Sequence, residues 1–194
     1  MAEDTGSAET RSLARQLDAV LAPLGYHCLH GVDHVGDNPI AVDHVLVGPG
    51  GVFVVSEEHL AHEVRAGTDG RVWCGGQSLE AGLDYVLELA GAVGSAIGSP
   101  ATGVMAIHGA EVKAPSVVRT VHLSQARNVP LLIKRRGSYR TAAQVELAAA
   151  RARARLSARA WTAPASPTSD PRPVGSHQRS GPIGRLLRRG GRRS

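Results

Sequence analysis

Residues 41–58 decide the fold: Ala41-Val42-Asp43-His44-Val45-Leu46-Val47-Gly48-Pro49-Gly50-Gly51-Val52-Phe53-Val54-Val55-Ser56-Glu57-Glu58. Val42 to Val47 and Val52 to Val55 are β-branched and apolar, the composition of buried strands. Gly48-Pro49-Gly50-Gly51 between them suits a short reversal. The stretch therefore predicts a hairpin. A hairpin brings its outer ends together, so Asp43 is expected to meet Ser56, Glu57 and Glu58 at one place.

Working outward, the chain has 194 residues, 42% of them hydrophobic and only 3% aromatic. That is enough for one domain plus a tail, with a core of Val, Leu and Ala. The net charge of +5 is uneven: residues 163–194 hold seven Arg and one Asp, a net of +6, which leaves −1 for the remainder. The basic character belongs to the tail, which argues against a globally basic nucleic-acid-binding body. Cys28 and Cys74 form no CxxC pair and read as reduced thiols of a cytoplasmic protein. No apolar run approaches the roughly 18 residues of a membrane span, so no stable membrane insertion is expected.

Residues 1–8 are expected to be disordered. Leu13, Leu17, Val20, Leu21 and Leu24 then form one helical stripe, ended by Pro23 and Gly25. Residues 26–32 suit a strand and residues 33–39 a loop. After the hairpin come a turn at Thr68-Asp69-Gly70, a short strand at residues 71–74 and a long amphipathic helix. That helix is opened by Ser78 and carries Leu79, Leu83, Val86, Leu87, Ala90, Val93 and Ile97. Residues 103–108 and 117–123 read as strands. Residues 129–134 are ambiguous between strand and helical turn. Thr141 caps a last Ala-rich helix expected to reach about Arg159.

This order predicts an α/β fold, a mixed central β-sheet with helices on both faces. The domain is expected to span residues 9–159. Residues 160–194, rich in Pro, Gly, Ser and Arg, are expected to be a disordered basic tail. Such a tail is expected either to be simply solvated or to attract DNA or RNA, or an anionic membrane surface, non-specifically. No protein partner is specified.

Strand alternation places Ser56 and Glu58 on one face and Val55 and Glu57 on the other. If Asp43 faces the Ser56 side, two carboxylates and a hydroxyl converge. All are oxygen donors, which suit Mg²⁺ or Mn²⁺ rather than zinc.

The run from Val42 to Val55 resembles the core signature of the NERD (nuclease-related) domain family, grouped with the PD-(D/E)XK restriction-endonuclease-like superfamily. Leu24-Gly25-Tyr26-His27-Cys28-Leu29-His30, Asp69-Gly70-Arg71-Val72-Trp73 and the following helix are similar to further parts of that family. The resemblance covers roughly residues 9–158. It implies a restriction-endonuclease-like fold and metal-dependent phosphodiester hydrolysis. In active members an Asp and a second acid bind the metal and a Lys orients the attacking water. By position Asp43 matches the first acid, Ser56 stands where the second acid belongs, and Glu58 stands where the Lys belongs. Glu9 loosely matches an N-terminal helix acid of the family.

Ser56 is neutral and a weak ligand, and Glu58 inverts a charge. At about 4 Å and an effective dielectric near 20, one such charge–charge interaction is on the order of 4 kcal/mol. The expectation is therefore a pseudoenzyme, a nucleic-acid-associated binding or regulatory module without a cofactor. The alternative is a rearranged nuclease that binds Mg²⁺ or Mn²⁺ through Asp43 and Glu58, with Lys113 or Arg65 supplying the missing cation.

Other constellations carry less. His27 and His30, and His59 and His62, have helical spacing but lie in or beside predicted strands, where i and i+3 oppose each other. His44 is expected to face away from Asp43 in a packing or hydrogen-bonding role. No GxSxG and no phosphate-loop Lys-Ser/Thr accompany the glycines. Arg151, Arg153 and Arg155 give the last helix a basic stretch, either solvated or in contact with phosphate.

Overall fold

The structure is a computed structural model. It describes residues 4–164 apart from Pro115, with side chains described from residue 12 onward. In chain order α1 (Asp4–Leu21) leads into β1 (His27–Val35), β2 (Asn38–Gly48) and β3 (Gly51–His59). Short strands β4 (Val64–Ala66), β5 (Val72–Cys74) and β6 (Gln77–Ser78) precede α2 (Glu80–Ile97). Then come β7 (Ala101–His108), β8 (Val112–Lys113), β9 (Val117–Val118) and β10 (Val121–Gln125). The last elements are α3 (Val129–Lys134), α4 (Ala142–Arg155) and β11 (Leu156–Thr162).

The fold is mixed α/β. One sheet of seven strands runs in the order β11-β1-β2-β3-β7-β10-β9, and a smaller sheet runs β6-β5-β4-β8. β1, β2 and β3 form an antiparallel meander, while β3, β7 and β10 are parallel, with α2 in the β3–β7 connection and β8 and β9 in the β7–β10 connection. Helices cover both faces of the large sheet. Alternation along β3 explains this: Val52 and Val54 pack with Leu89, Val93 and Ile97 of α2 and with the alanines of α4. Phe53 and Val55 pack with Leu13, Leu17 and Leu21 of α1 and with Val129 and Ile133 of α3. Each such fully buried side chain contributes about 1.5–3 kcal/mol through loss of apolar area to water.

The predicted hairpin is β2–β3, paired from His44↔Val55 to Gly48↔Gly51. Its turn is also a packing surface. A Cβ on Gly48 would collide with the ring of Tyr26, and one on Gly50 would meet Gly137 O at 2.9 Å. The Tyr26 hydroxyl accepts the Gly50 N–H at 3.1 Å. The predicted cap at Thr141 is a full capping box with Gln144. Ser78 lies one residue before the N-cap of α2, and its hydroxyl accepts the Glu80 N–H at 3.3 Å.

Several expectations are corrected. α1 begins at Asp4, within the segment expected to be disordered. Residues 33–39 are not a loop: Val35 pairs with Asn38, so β1 and β2 meet at a tight turn. Their polar side chains lie at the solvated end of the ladder, where hydrophilicity does not oppose pairing. Residues 129–134 are helical. The last helix stops at Arg155, and residues 156–162 form edge strand β11 against β1. The sheet thus extends three residues beyond the expected domain end at 159. Residues 165–194 of the expected tail lie outside the described residues. No helix among the described residues is long and apolar enough to cross a membrane.

Candidate functional site

Past His44↔Val55 the β2–β3 ladder forks. β3 continues beside β7 alone, with Ser56↔Met105 through His59↔His108. In place of the lost ladder bond, the Asp43 carboxylate accepts the backbone N–H of Glu57 at 2.8 Å. Ser56 and Glu58 follow the parity of Val54 and lie on the α2 face, whereas Val42 and Val45, three residues apart, both pack on that face, so alternation in β2 breaks between them, where Asp43 sits. Glu58 Oε1 lies 4.0 Å from a Cβ built on Gly82 of α2, which fixes that side. Of the three expected side chains, Asp43 bonds the Glu57 N–H and its charge reaches Glu58.

Burial dominates the electrostatics of both acids. Burial pushes the Asp43 carboxyl above the usual range, against the pull of the Glu57 N–H. Burial also raises Glu58, and the charge of Asp43 raises it further. Ser56 is buried and neutral. The cations considered for this site are engaged elsewhere. Arg65 is paired with Glu63, and Lys113 Nζ lies 2.7 Å from Glu63 and 3.5 Å from Glu111, beside the small sheet. Among the described residues no group of three or more His, Cys, Asp or Glu is arranged to hold a metal. The donor set does not fit a three-ligand Mg²⁺ or Mn²⁺ centre. Glu9 lies among the residues whose side chains are outside the described part.

The opposite face of the same strands holds a chain of polar groups. Asp18 Oδ1 of α1 lies 3.0 Å from His30 Nε2 of β1. His30 Nδ1 lies 2.8 Å from His44 Nδ1 of β2, its cross-strand partner. His44 Nε2 lies 2.8 Å from Glu57 Oε1 of β3. Glu57 Oε2 lies 2.6 Å from His108 Nε2 of β7, whose ring stacks on His59 at 4.6 Å. Thr162 Oγ1 of β11 donates to Asp18 Oδ2 at 3.0 Å. Five adjacent strands and α1 are thus tied together by side chains on one face.

Which nitrogens of His30, His44 and His108 donate along this chain depends on their tautomers. Burial alone would raise Glu57, but its bonds from His44 and His108 outweigh that and hold it below the usual range. Burial lowers His30, and its Asp18 bond offsets part of the effect. Burial and the neighbouring Asp18 push the Cys28 thiol far up, so it is an inert core residue.

The hydrogen-bonding role expected of His44 is observed. His27 and His30 do not share a partner set, since His27 Nε2 bonds Glu146 at 3.1 Å. Glu57 is the residue that sequence reasoning undervalued, as merely the position between Ser56 and Glu58. Its parity with Phe53 and Val55 was the available signal, because a carboxylate on a buried face must find partners. Asp18 and His108 carried no local signal.

A groove of about 920 Å³ opens between α1 and the outer halves of β1 and β2, with Asp18, His30, Asp43 and His44 on its wall. Comparison with protein-family models, curated proteins and solved structures finds no match for this chain.

Proposed function

We propose that this chain is a nuclease-related, NERD-like domain whose catalytic centre is degenerate and which acts as a nucleic-acid-associated binding or regulatory module. The observation that supports this most is the fork at Asp43. One carboxylate oxygen is engaged by the Glu57 N–H, Glu57 itself is held by two histidines, and Ser56 and Glu58 stand at the positions of the family's second acid and lysine. A hydroxyl replaces a metal-binding acid, and an anion replaces the cation that would stabilise a developing negative charge. The scaffold thus keeps the form of a nuclease core without its charge pattern. Binding of DNA or RNA is assigned to basic segments, including the Arg-rich residues beyond 164.

The test is a cleavage assay on plasmid, single-stranded DNA and RNA with Mg²⁺ or Mn²⁺, beside calorimetric titration of both ions. No cleavage and no tight metal binding are expected, with retained nucleic-acid binding. Metal-dependent cleavage that Asp43→Ala abolishes contradicts the proposal.

A second reading has one observation in its favour. Burial raises both Asp43 and Glu58 above the usual carboxylate range, the charge of Asp43 raises Glu58 further, and a divalent cation beside them would favour their ionised forms. On this reading the chain is a rearranged metal-dependent nuclease with Asp43 and Glu58 as its two ligands.

A further inference from the structure

The cations of the folded domain are segregated along the chain. Residues 134–162 carry eight Lys or Arg and one Glu, a net of +7, while residues 1–133 carry seven against fifteen acids, a net of −8. The basic segment docks on the turn end of the hairpin. Pro49 O accepts the backbone N–H groups of both Tyr139, at 3.2 Å, and Arg140, at 3.1 Å. Glu58 lies seven residues from Gly51, so about 23 Å of strand separates this end from the acidic fork.

The arginines here are positioned by neutral groups. Arg140 Nη2 donates to Ser99 Oγ at 2.6 Å, and Arg151 Nη1 donates to Ile97 O, at the end of α2, at 3.4 Å. The Arg153 guanidinium lies 4.7 Å over the Trp161 ring. Its Nη2 donates to His27 Nδ1 at 3.4 Å, which leaves the His27 proton on Nε2 for Glu146. Among the described residues none of Arg140, Arg151 and Arg153 is ion-paired to a carboxylate. Their geometry is fixed while their charge stays uncompensated, which is the preorganisation that phosphate recognition requires.

Two grooves share Arg140. One, of about 480 Å³, also has Arg153 and His27 on its wall, together with Glu146, and ends at Pro164. The other, of about 320 Å³, has Arg151 and Tyr139. Tyr139 is 64% exposed, an aromatic surface set between cations. Residues 165–194, which follow Pro164 in the sequence, hold seven further Arg.

We infer that the face around Arg153, Arg140, Tyr139 and Arg151 is a binding track for single-stranded nucleic acid, separate from the nuclease-like fork. The arginines take successive phosphates and Tyr139 stacks a base. This rests on the reading of the chain as a nucleic-acid-associated domain, and it moves the contact from the chain end onto the folded body.

The test is fluorescence anisotropy with the full chain and a labelled single strand of about 20 nucleotides, across about 50 to 300 mM salt. The pair Arg140→Glu/Arg153→Glu is expected to weaken binding at least about tenfold and to lower the salt slope by about two. Arg140→Ala/Arg153→Ala, with thermal unfolding monitored, must move in the same direction. Tyr139→Ala is expected to weaken single-strand binding and to leave duplex binding unchanged. Native-like binding by the folded variants, with loss only on removal of residues 165–194, overturns the inference and leaves the proposed function standing. Preference for vesicles containing phosphatidylserine over the single strand also overturns it. Absence of any nucleic-acid binding by the native chain defeats the proposed function itself.

Discussion

The carboxylate of Asp43 accepts the backbone N–H of Glu57 at 2.8 Å, and that bond separates two chemistries carried by the same strands. On the α2 face Glu58 lies against Gly82, raised by burial and by the charge of Asp43. On the α1 face Glu57 anchors a line of histidines. Side-chain alternation sorts neighbouring residues into these opposite environments.

The acidic face is a source of instability at neutral pH. A carboxyl whose folded value lies above its unfolded value binds its proton more tightly when folded, so stability falls as pH rises through that window. Glu58→Gln is expected to raise the Tm at pH 7 by roughly 2–4 °C, the effect of about 1 kcal/mol in a domain of this size. The gain should vanish on acidification below the ordinary glutamate range. Calorimetric scans of both proteins across pH check this; a Tm loss at pH 7 would contradict it.

Glu57 behaves oppositely. Its folded value lies below its unfolded one, so its contribution is present above the ordinary glutamate value of 4.5 and is lost as pH falls through the lower folded value. Glu57→Gln is expected to lower stability at pH 7 and to flatten the acid limb of the stability profile. Urea unfolding at stepped pH values reads both effects. An acid limb as steep as the native one would remove Glu57 from that role.

His44 is fully buried between His30 and Glu57. Replacing it by Leu leaves a buried carboxylate and a buried imidazole short of partners. A loss of about 3–5 kcal/mol is expected, read as a fall in the urea midpoint. A loss under about 1 kcal/mol would show that the chain does not bind the strands together.

The turn offers an independent check on the packing. In Gly48→Ala the new methyl collides with the Tyr26 ring, with an expected loss of about 1–3 kcal/mol. Because the two residues touch, Gly48→Ala and Tyr26→Ala should be non-additive in a double-mutant cycle. Additive losses would place the damage elsewhere.

The hairpin and α2 were legible in the sequence because apolar periodicity there is strong and the turn chemistry is local. β11 was not. Leu156-Ser157-Ala158-Arg159-Ala160-Trp161-Thr162 continues the Ala and Arg composition of α4, and only pairing with β1 makes it extended. Parity placed Ser56 and Glu58 on the Val54 face, but it could not place Asp43, because alternation in β2 breaks between Val42 and Val45. Nor was the histidine chain legible, because it requires the order β1-β2-β3-β7, the crossover that brings in His108 and the docking of α1 that brings in Asp18. These are tertiary facts without a local signature.

The central claim, a nuclease scaffold without its catalytic centre, is tested most directly by calorimetric titration of Mn²⁺ into the native chain and into Ser56→Glu/Glu58→Lys. That double variant restores an acid and a lysine at the two departed positions. The account predicts no tight binding to the native chain and at least about tenfold tighter binding to the variant, a gain of about 1.4 kcal/mol or more. Tight binding to the native chain that Asp43→Ala abolishes, accompanied by cleavage of nucleic acid, would contradict it.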